Sequence, residues 1–265
     1  MSCSEGIIIR RIYLSFNVAE WPLNNKIATE FSYRGLVQLL PLLEEGGLKA
    51  TFFVSGAFAK KEKEIVRRIA AEGHEIASYS MFNQPHKNFS PEKTYNHIKE
   101  AKKELEKIYG EAISGFRMPF FEGNRYYLGI LSKLGFSYDS SSNPIITPFM
   151  HKNFLKRKRP YMIKSLDIME IPITVSPFLK MPICSGFMRN LGNFYSLVNI
   201  EINGITKDKM IFYFYPWEFI NIQKMKGSIF MTKNTGARFR WQFADYVEYL
   251  RKMHYRFDVM RNLKQ

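Results

Sequence analysis

Cysteine is almost missing from this chain: 265 residues contain only Cys3 and Cys184. They stand far apart with no C-x-x-C spacing, which excludes a disulfide framework or a zinc knuckle and leaves two free thiols. Long hydrophobic runs are missing too. No apolar stretch approaches the roughly 18–20 residues a helix needs to cross a bilayer. The short run Ile7-Ile8-Ile9 precedes Arg10 and Arg11, the reverse of a secretory leader, so a cytoplasmic protein is expected. There is no internal repeat, low-complexity tract or long linker, and one domain over residues 1–265 is expected. Negative charge is scarce, with 24 Asp and Glu against 39 Lys and Arg, for a net charge of +15.

The basic residues are spread along the chain except for one cluster, Lys152, Lys156, Arg157, Lys158 and Arg159, between Pro148 and Pro160. It reads as a solvated surface loop. The alternative is a module for an anionic partner, such as a nucleotide-sugar, a phosphorylated glycan, a polymer or a membrane surface. No nucleic-acid module accompanies it, so no nucleic-acid partner is expected.

A hydrophobic content of 46% with 15% aromatics is ample for a large core. Strand-like runs at 7–16, 50–54, 113–117, 168–171 and 211–215 alternate with helical patterns at 33–43, 60–71, 92–109, 126–134 and 239–253. Ser90 and Pro91 supply an N-cap and a first-turn proline for the third helix. Such alternation predicts parallel strands covered by helices. A chain of this length stays undivided as a β/α barrel. Residues 144–204 look like irregular loops inserted at one end of the sheet. In a barrel the strand C-terminal ends carry the site, which brings Asn17, Tyr79, Arg117 and Tyr215 together.

One segment stands out. Gly73 ends a helix, residues 75–78 read as a strand, and Tyr79 and Asn83 follow four residues apart. That spacing is where two histidines converge on one divalent ion, yet the pair is a phenol and an amide.

Five motifs now carry a resemblance. Residues 42–56 (LLEEGGLKATFFVSG), 73–78 (GHEIAS), 115–119 (GFRMP), 135–141 (GFSYDSS) and 212–218 (FYFYPWE) occur in the order found in the polysaccharide deacetylase family, carbohydrate esterase family 4. The chain resembles that family from about residue 8 to 220. The resemblance implies a distorted β/α barrel of about seven strands, with the last helix at about 239–254. It also implies metal-assisted removal of an acetyl group from a sugar. There, one carboxylate and two imidazoles hold a divalent ion such as zinc, a second carboxylate is the base and a histidine is the acid.

Carried over residue by residue, the base position falls on Asn17, the metal carboxylate on Val18 or Ala19, the two histidine ligands on Tyr79 and Asn83, and the acid on Tyr215. An amide cannot take a proton near neutral pH, and a phenol of pKa about 10 is a slow donor to an amine. No metal or other cofactor is therefore expected. Arg117, which orients the base in the family, is retained with Pro119, Asp139, Ser140 and Ser141. A structural ion pair between Arg117 and Asp139 is expected. The expected binding residues are Trp21, Tyr79, Asn83, Arg117 and Pro119, together with Phe120, Asp139, Ser140, Tyr215 and Trp217.

Tyr79 and Tyr215 are expected to fill the vacated space. A metal-free acid/base pair and sugar stacking by Trp21, Phe120, Phe121, Tyr215 and Trp217 are the other readings. Glu20 is expected to be a solvent-exposed loop carboxylate, His86 a loop histidine, and His74 and Glu75 structural. His97, His151 and His254 have no partner at ligand spacing. The expected function is a catalytically degenerate deacetylase-like protein that binds an N-acetylated glycan or sugar precursor. The rivals are an active hydrolase with a rearranged site and the basic module above.

Overall fold

The computed structural model describes residues 10–21, 29–145, 157–178, 180–224 and 228–264. The expected strand start at residues 7–9, Cys3, Lys152, Lys156 and His151 lie outside the described residues.

β1 (Arg11–Val18) is buried along nearly its whole length. A near-continuous run such as RIYLSFNV is what a parallel strand covered on both faces requires. β1 pairs in parallel with β2 (Thr51–Val54) on one side and with β8 (Lys209–Phe214) on the other. From β2 the sheet continues through β3 (Glu75–Ser78), β4 (Gly115–Phe116), β5 (Tyr138–Asp139) and β7 (Ile168–Glu170), all parallel. β6 (Tyr161–Ile163) adds antiparallel beyond β7, and β9 (Arg256–Phe257) pairs with the start of β1. The parallel path β7-β5-β4-β3-β2-β1-β8 is the expected set of about seven strands. The sheet curls into a half-barrel whose open side is stitched just past β7. There Thr174 N donates to Ile211 O at 3.0 Å, and Ile211 N donates to Thr174 Oγ1 at 2.8 Å.

Strand parity divides the core. Ile12, Leu14, Phe16 and Val18 face the helices and join the main cluster, whereas Tyr13 joins a second one with Phe53, Ala77, Tyr79, Tyr138 and Ile211. That second set lines the barrel interior, and its lower end is closed by polar bonds. Glu75 accepts from Thr51 Oγ1 (2.7 Å), Tyr138 Oη (2.8 Å) and Arg261 N (3.0 Å). Tyr138 needs Gly115 beside it, because a Cβ there would lie 2.1 Å from the phenol oxygen.

The helices follow the expected order: α1 (Glu30–Glu45), α2 (Gly56–Lys61), α3 (Lys63–Ala71), α4 (Pro91–Tyr109), α5 (Tyr127–Lys133), α6 (Ser185–Leu191), α7 (Asn193–Gly204), α8 (Ile229–Thr232) and α9 (Ala237–Lys252). Ser90 Oγ accepts from Lys93 N at 3.1 Å, capping α4 as expected. The single helix expected over 60–71 is broken at Glu62, whose φ of −117° and ψ of 48° are not helical.

Residues 144–204 are not simply irregular loops, since α6 and α7 lie inside them. Their helical period is hidden in the sequence because α7 carries apolar side chains on its exposed face as well: Phe194 and Val198 are exposed while Ser196, Ile200 and Asn203 are buried.

Candidate functional site

The site is built from the inward-facing positions at the strand C-terminal ends. Arg117, just past β4, is fully buried. Its Nε and Nη2 donate to Ser140 O (3.1 Å) and Ser140 Oγ (2.9 Å), and its Nη1 donates to Ser15 Oγ (2.8 Å) and Asn17 Oδ1 (2.9 Å). The guanidinium lies 4.0 Å from the centroid of the Phe53 ring. Among the described residues it has no carboxylate partner, and burial brings its pKa down to about 10.

The expected Arg117–Asp139 ion pair does not form. Asp139 and Ser140 are neighbours on one extended segment, so they point to opposite faces, and Ser140 is the one that reaches the arginine. Asp139 instead accepts from Ser141 Oγ (2.5 Å) and Tyr127 Oη (3.0 Å), and burial pushes its pKa up.

Arg117 fixes Asn17. A guanidinium only donates, so the Asn17 carbonyl oxygen must face it and the amide nitrogen must face away. That Nδ2 is buried against the Tyr215 hydroxyl and makes no hydrogen bond of good geometry among the described residues. It faces a cleft of about 190 Å³ lined by Asn17, Ala19, Glu20, Tyr79, Asn83 and Phe120 from one half of the barrel. Tyr213, Tyr215, Trp217 and the α6 and α8 residues Phe187 and Phe230 supply the other wall.

Tyr79 follows β3, and its Oη accepts from Phe120 N at 3.4 Å. Burial, then the neighbouring Tyr215, holds its pKa well above the usual phenol value. Burial also pushes Tyr215 up to about 12. Both phenols therefore stay protonated and act as hydrogen-bond donors at neutral pH. Tyr215 stacks on Trp217 with centroids 5.2 Å apart. Ser80, Phe120 and Phe121, at the turns after β3 and β4, have φ of 62°, 56° and 59°. Left-handed backbone at non-glycine residues is costly and clusters where a site is held in shape.

Of the other expected residues, Trp21 is buried behind the wall, 4.9 Å from Trp217 and edge-on to it. Pro119, Asp139 and Ser140 are buried beneath the cleft rather than lining it.

Glu20 is not the solvent-exposed loop carboxylate expected. The turn after β1 folds over the N-terminus of α2, where Glu20 Oε2 accepts from Ser55 Oγ at 2.9 Å and Glu20 O accepts from Asn83 Nδ2 at 2.8 Å. The carboxylate lines the cleft, and burial raises its pKa. His86 lies in a loop but is fully buried, with Nε2 2.9 Å from Ser80 Oγ, and neither it nor His74 reaches the cleft.

Sequence reasoning passed over Glu218 and Arg189. These two fully buried side chains pair at 2.9 Å, and Glu218 also accepts from Ser185 Oγ and Tyr215 N. Glu218 was visible in the motif FYFYPWE, but its partner sits in α6, inside the region read as loops.

The divalent ion implied by the resemblance does not suit these residues. Ala19 has no donor atom, Tyr79 is a protonated phenol, Asn83 spends its amide on Glu20 O, and Asn17 Oδ1 is held by Arg117. Among the described residues no group of three or more His, Cys, Asp or Glu is placed to hold a metal.

A half-barrel of parallel strands with its cleft at the strand C-terminal ends defines the class. Residues 10–138 match the polysaccharide deacetylase family model. The peptidoglycan-N-acetylglucosamine deacetylase of Bacillus cereus is 37% identical over 82 residues, 31% of this chain and 38% of that protein. The match thus spans well under two thirds of that relative's length. In fold, the chain is similar to the PuuE allantoinase (TM-score 0.70, 14% identity, 95% of this chain and 88% of that one). It is also similar to a CE4 family pseudoenzyme from Bacillus anthracis (TM-score 0.58, 12% identity, 97% and 66%).

Proposed function

We propose that the cleft binds an N-acetylated glycan or sugar precursor and does not hydrolyse it through a bound metal. The observation that carries this reading is the Asn17 amide in the wall of an aromatic-lined cleft, its oxygen held by Arg117 and its buried Nδ2 poorly satisfied beside the Tyr215 hydroxyl. A buried polar group left wholly without a partner costs about 1–3 kcal/mol, and a ligand carbonyl oxygen would recover the part of that cost the Tyr215 hydroxyl leaves. The amide oxygen of an acetamido sugar is such an acceptor, with the Tyr79 and Tyr215 hydroxyls as further donors beside it. The stacked Tyr215 and Trp217 rings offer a flat apolar face of the kind a sugar ring covers. The relative named a peptidoglycan-N-acetylglucosamine deacetylase supports the choice of ligand class.

A second reading is favoured by Glu20, a carboxylate in the cleft whose raised pKa suits a general base. In that case the site is a rearranged hydrolase. Metal analysis of the purified protein and acetate release from N-acetylglucosamine oligomers separate the two. Bound metal in stoichiometric amount, or acetate release abolished by Glu20→Gln, would overturn the binding reading.

A further inference from the structure

One face of α7 is uncovered among the described residues. Phe194, Val198 and Ile205 recur at i, i+4 and i+11, within roughly 40° of one another around a helix of 3.6 residues per turn. They are 81%, 39% and 79% exposed, and Phe178 on the neighbouring turn is 82% exposed. Asn203 Nδ2 donates to Val175 O at 3.2 Å, which ties the stem of that turn to the buried side of α7 near its C-terminal end. Single exposed apolar side chains are ordinary. Here, however, cations gather at the C-terminal end of the row, beside Ile205 and Phe178.

Lys158 Nζ donates to Pro177 O at 3.4 Å, beside Phe178, and Arg159 donates to Thr206 O, beside Ile205. Lys207 follows at once. Lys207 is half-buried, and burial first, then Lys158 and Arg159, brings its pKa down to about 8. Glu201 and Asp208 are the nearest acidic residues in sequence along this segment, and neither forms an ion pair with these cations among the described residues.

We propose that this face docks on an anionic phospholipid surface. Phe178, Phe194 and Ile205 enter the boundary between headgroups and acyl chains, and Lys158, Arg159 and Lys207 meet the lipid phosphates. Basic side chains around exposed apolar ones match that boundary. A second copy of the chain fits poorly, because the face and the whole molecule, at +15, repel their like. A soluble polyanion would satisfy the cations but leave the apolar tips in water. The proposal does not depend on the glycan reading.

The test is cosedimentation with vesicles of phosphatidylcholine alone or mixed with phosphatidylglycerol. The protein is expected to sediment with the mixed vesicles only, less so as salt rises. The variant Phe178→Ser/Phe194→Ser/Ile205→Ser should bind on the order of tenfold more weakly or worse. Lys158→Gln/Arg159→Gln/Lys207→Gln should lose about a hundredfold, at roughly fivefold per basic residue. All six side chains are at or near the surface, and circular dichroism checks the fold; Phe194→Ser alone serves if a triple variant misfolds. Absence of wild-type binding, equal binding to neutral vesicles, or an apolar variant that binds like the wild type would overturn the proposal. Capture by polyphosphate without capture by vesicles would overturn it in favour of a soluble polyanion.

Discussion

Asn17→Asp tests the electrostatics of the site in one atom. Arg117 is a buried cation whose acceptors are all neutral, and its fall from 12.5 to about 10 corresponds to about 3 kcal/mol disfavouring the charged form. A carboxylate at position 17 would sit on Arg117 Nη1, where the amide oxygen now lies at 2.9 Å. Two unit charges about 4 Å apart at an effective dielectric near 20 attract by about 4 kcal/mol. Burying a new carboxylate offsets part of that, but the cation's own desolvation is already present in the wild type. The net expectation is a gain of about 1–2 kcal/mol at neutral pH, or roughly 2–8 °C in Tm.

The sign with pH follows from linkage. Arg117 would hold the folded-state pKa of the introduced carboxylate below its unfolded value of about 3.9. The gain is then present above that value and lost as pH falls through the folded pKa. Thermal unfolding of both proteins at neutral pH and in acid measures this. An Asn17→Asp protein no more stable than wild type at neutral pH, or one whose advantage grows in acid, would refute the argument that Arg117 lacks charge compensation.

Three further outcomes are expected. Asp139 has the opposite linkage: burial raises its pKa in the folded state, so its contribution is fully present below about 3.9 and lost as pH rises through the folded pKa. Asp139→Asn should flatten that part of the urea-unfolding profile, and an unchanged profile would count against it. Glu218→Gln leaves Arg189 charged in a fully buried site and should cost about 3–5 kcal/mol by thermal unfolding. A loss under about 1 kcal/mol would mean the pair is hydrated. The combined variant Asn17→Asp/Ala19→Asp/Tyr79→His/Asn83→His/Tyr215→His should gain zinc affinity by calorimetry if these positions share one centre. A folded variant with no zinc binding would dissociate them.

Much of the fold was legible because parallel strands write themselves as unbroken apolar runs and the helices carry clear stops. The seven-stranded path and the convergence of Asn17, Tyr79, Asn83 and Tyr215 on one cleft follow from strand order and strand ends. What escaped has physical reasons. The Arg117–Asp139 pair was inferred from charge alone, whereas side-chain parity in an extended segment gives the inward position to Ser140. α6 and α7 escaped because α7 is apolar on both faces, and with them went Arg189 and the wall formed by Phe187. Glu20 was misplaced because its position depends on a turn folding onto α2, a long-range contact with no local sequence signal.

The most direct test of the account is calorimetric titration of the zinc-supplemented protein with N-acetylglucosamine oligomers, with acetate measured in the same cell. Saturable binding is expected, weakened by about 1 kcal/mol or more in Asn17→Leu, with no acetate above the zinc-only blank. Acetate release by the wild type, or no binding at all, would contradict it.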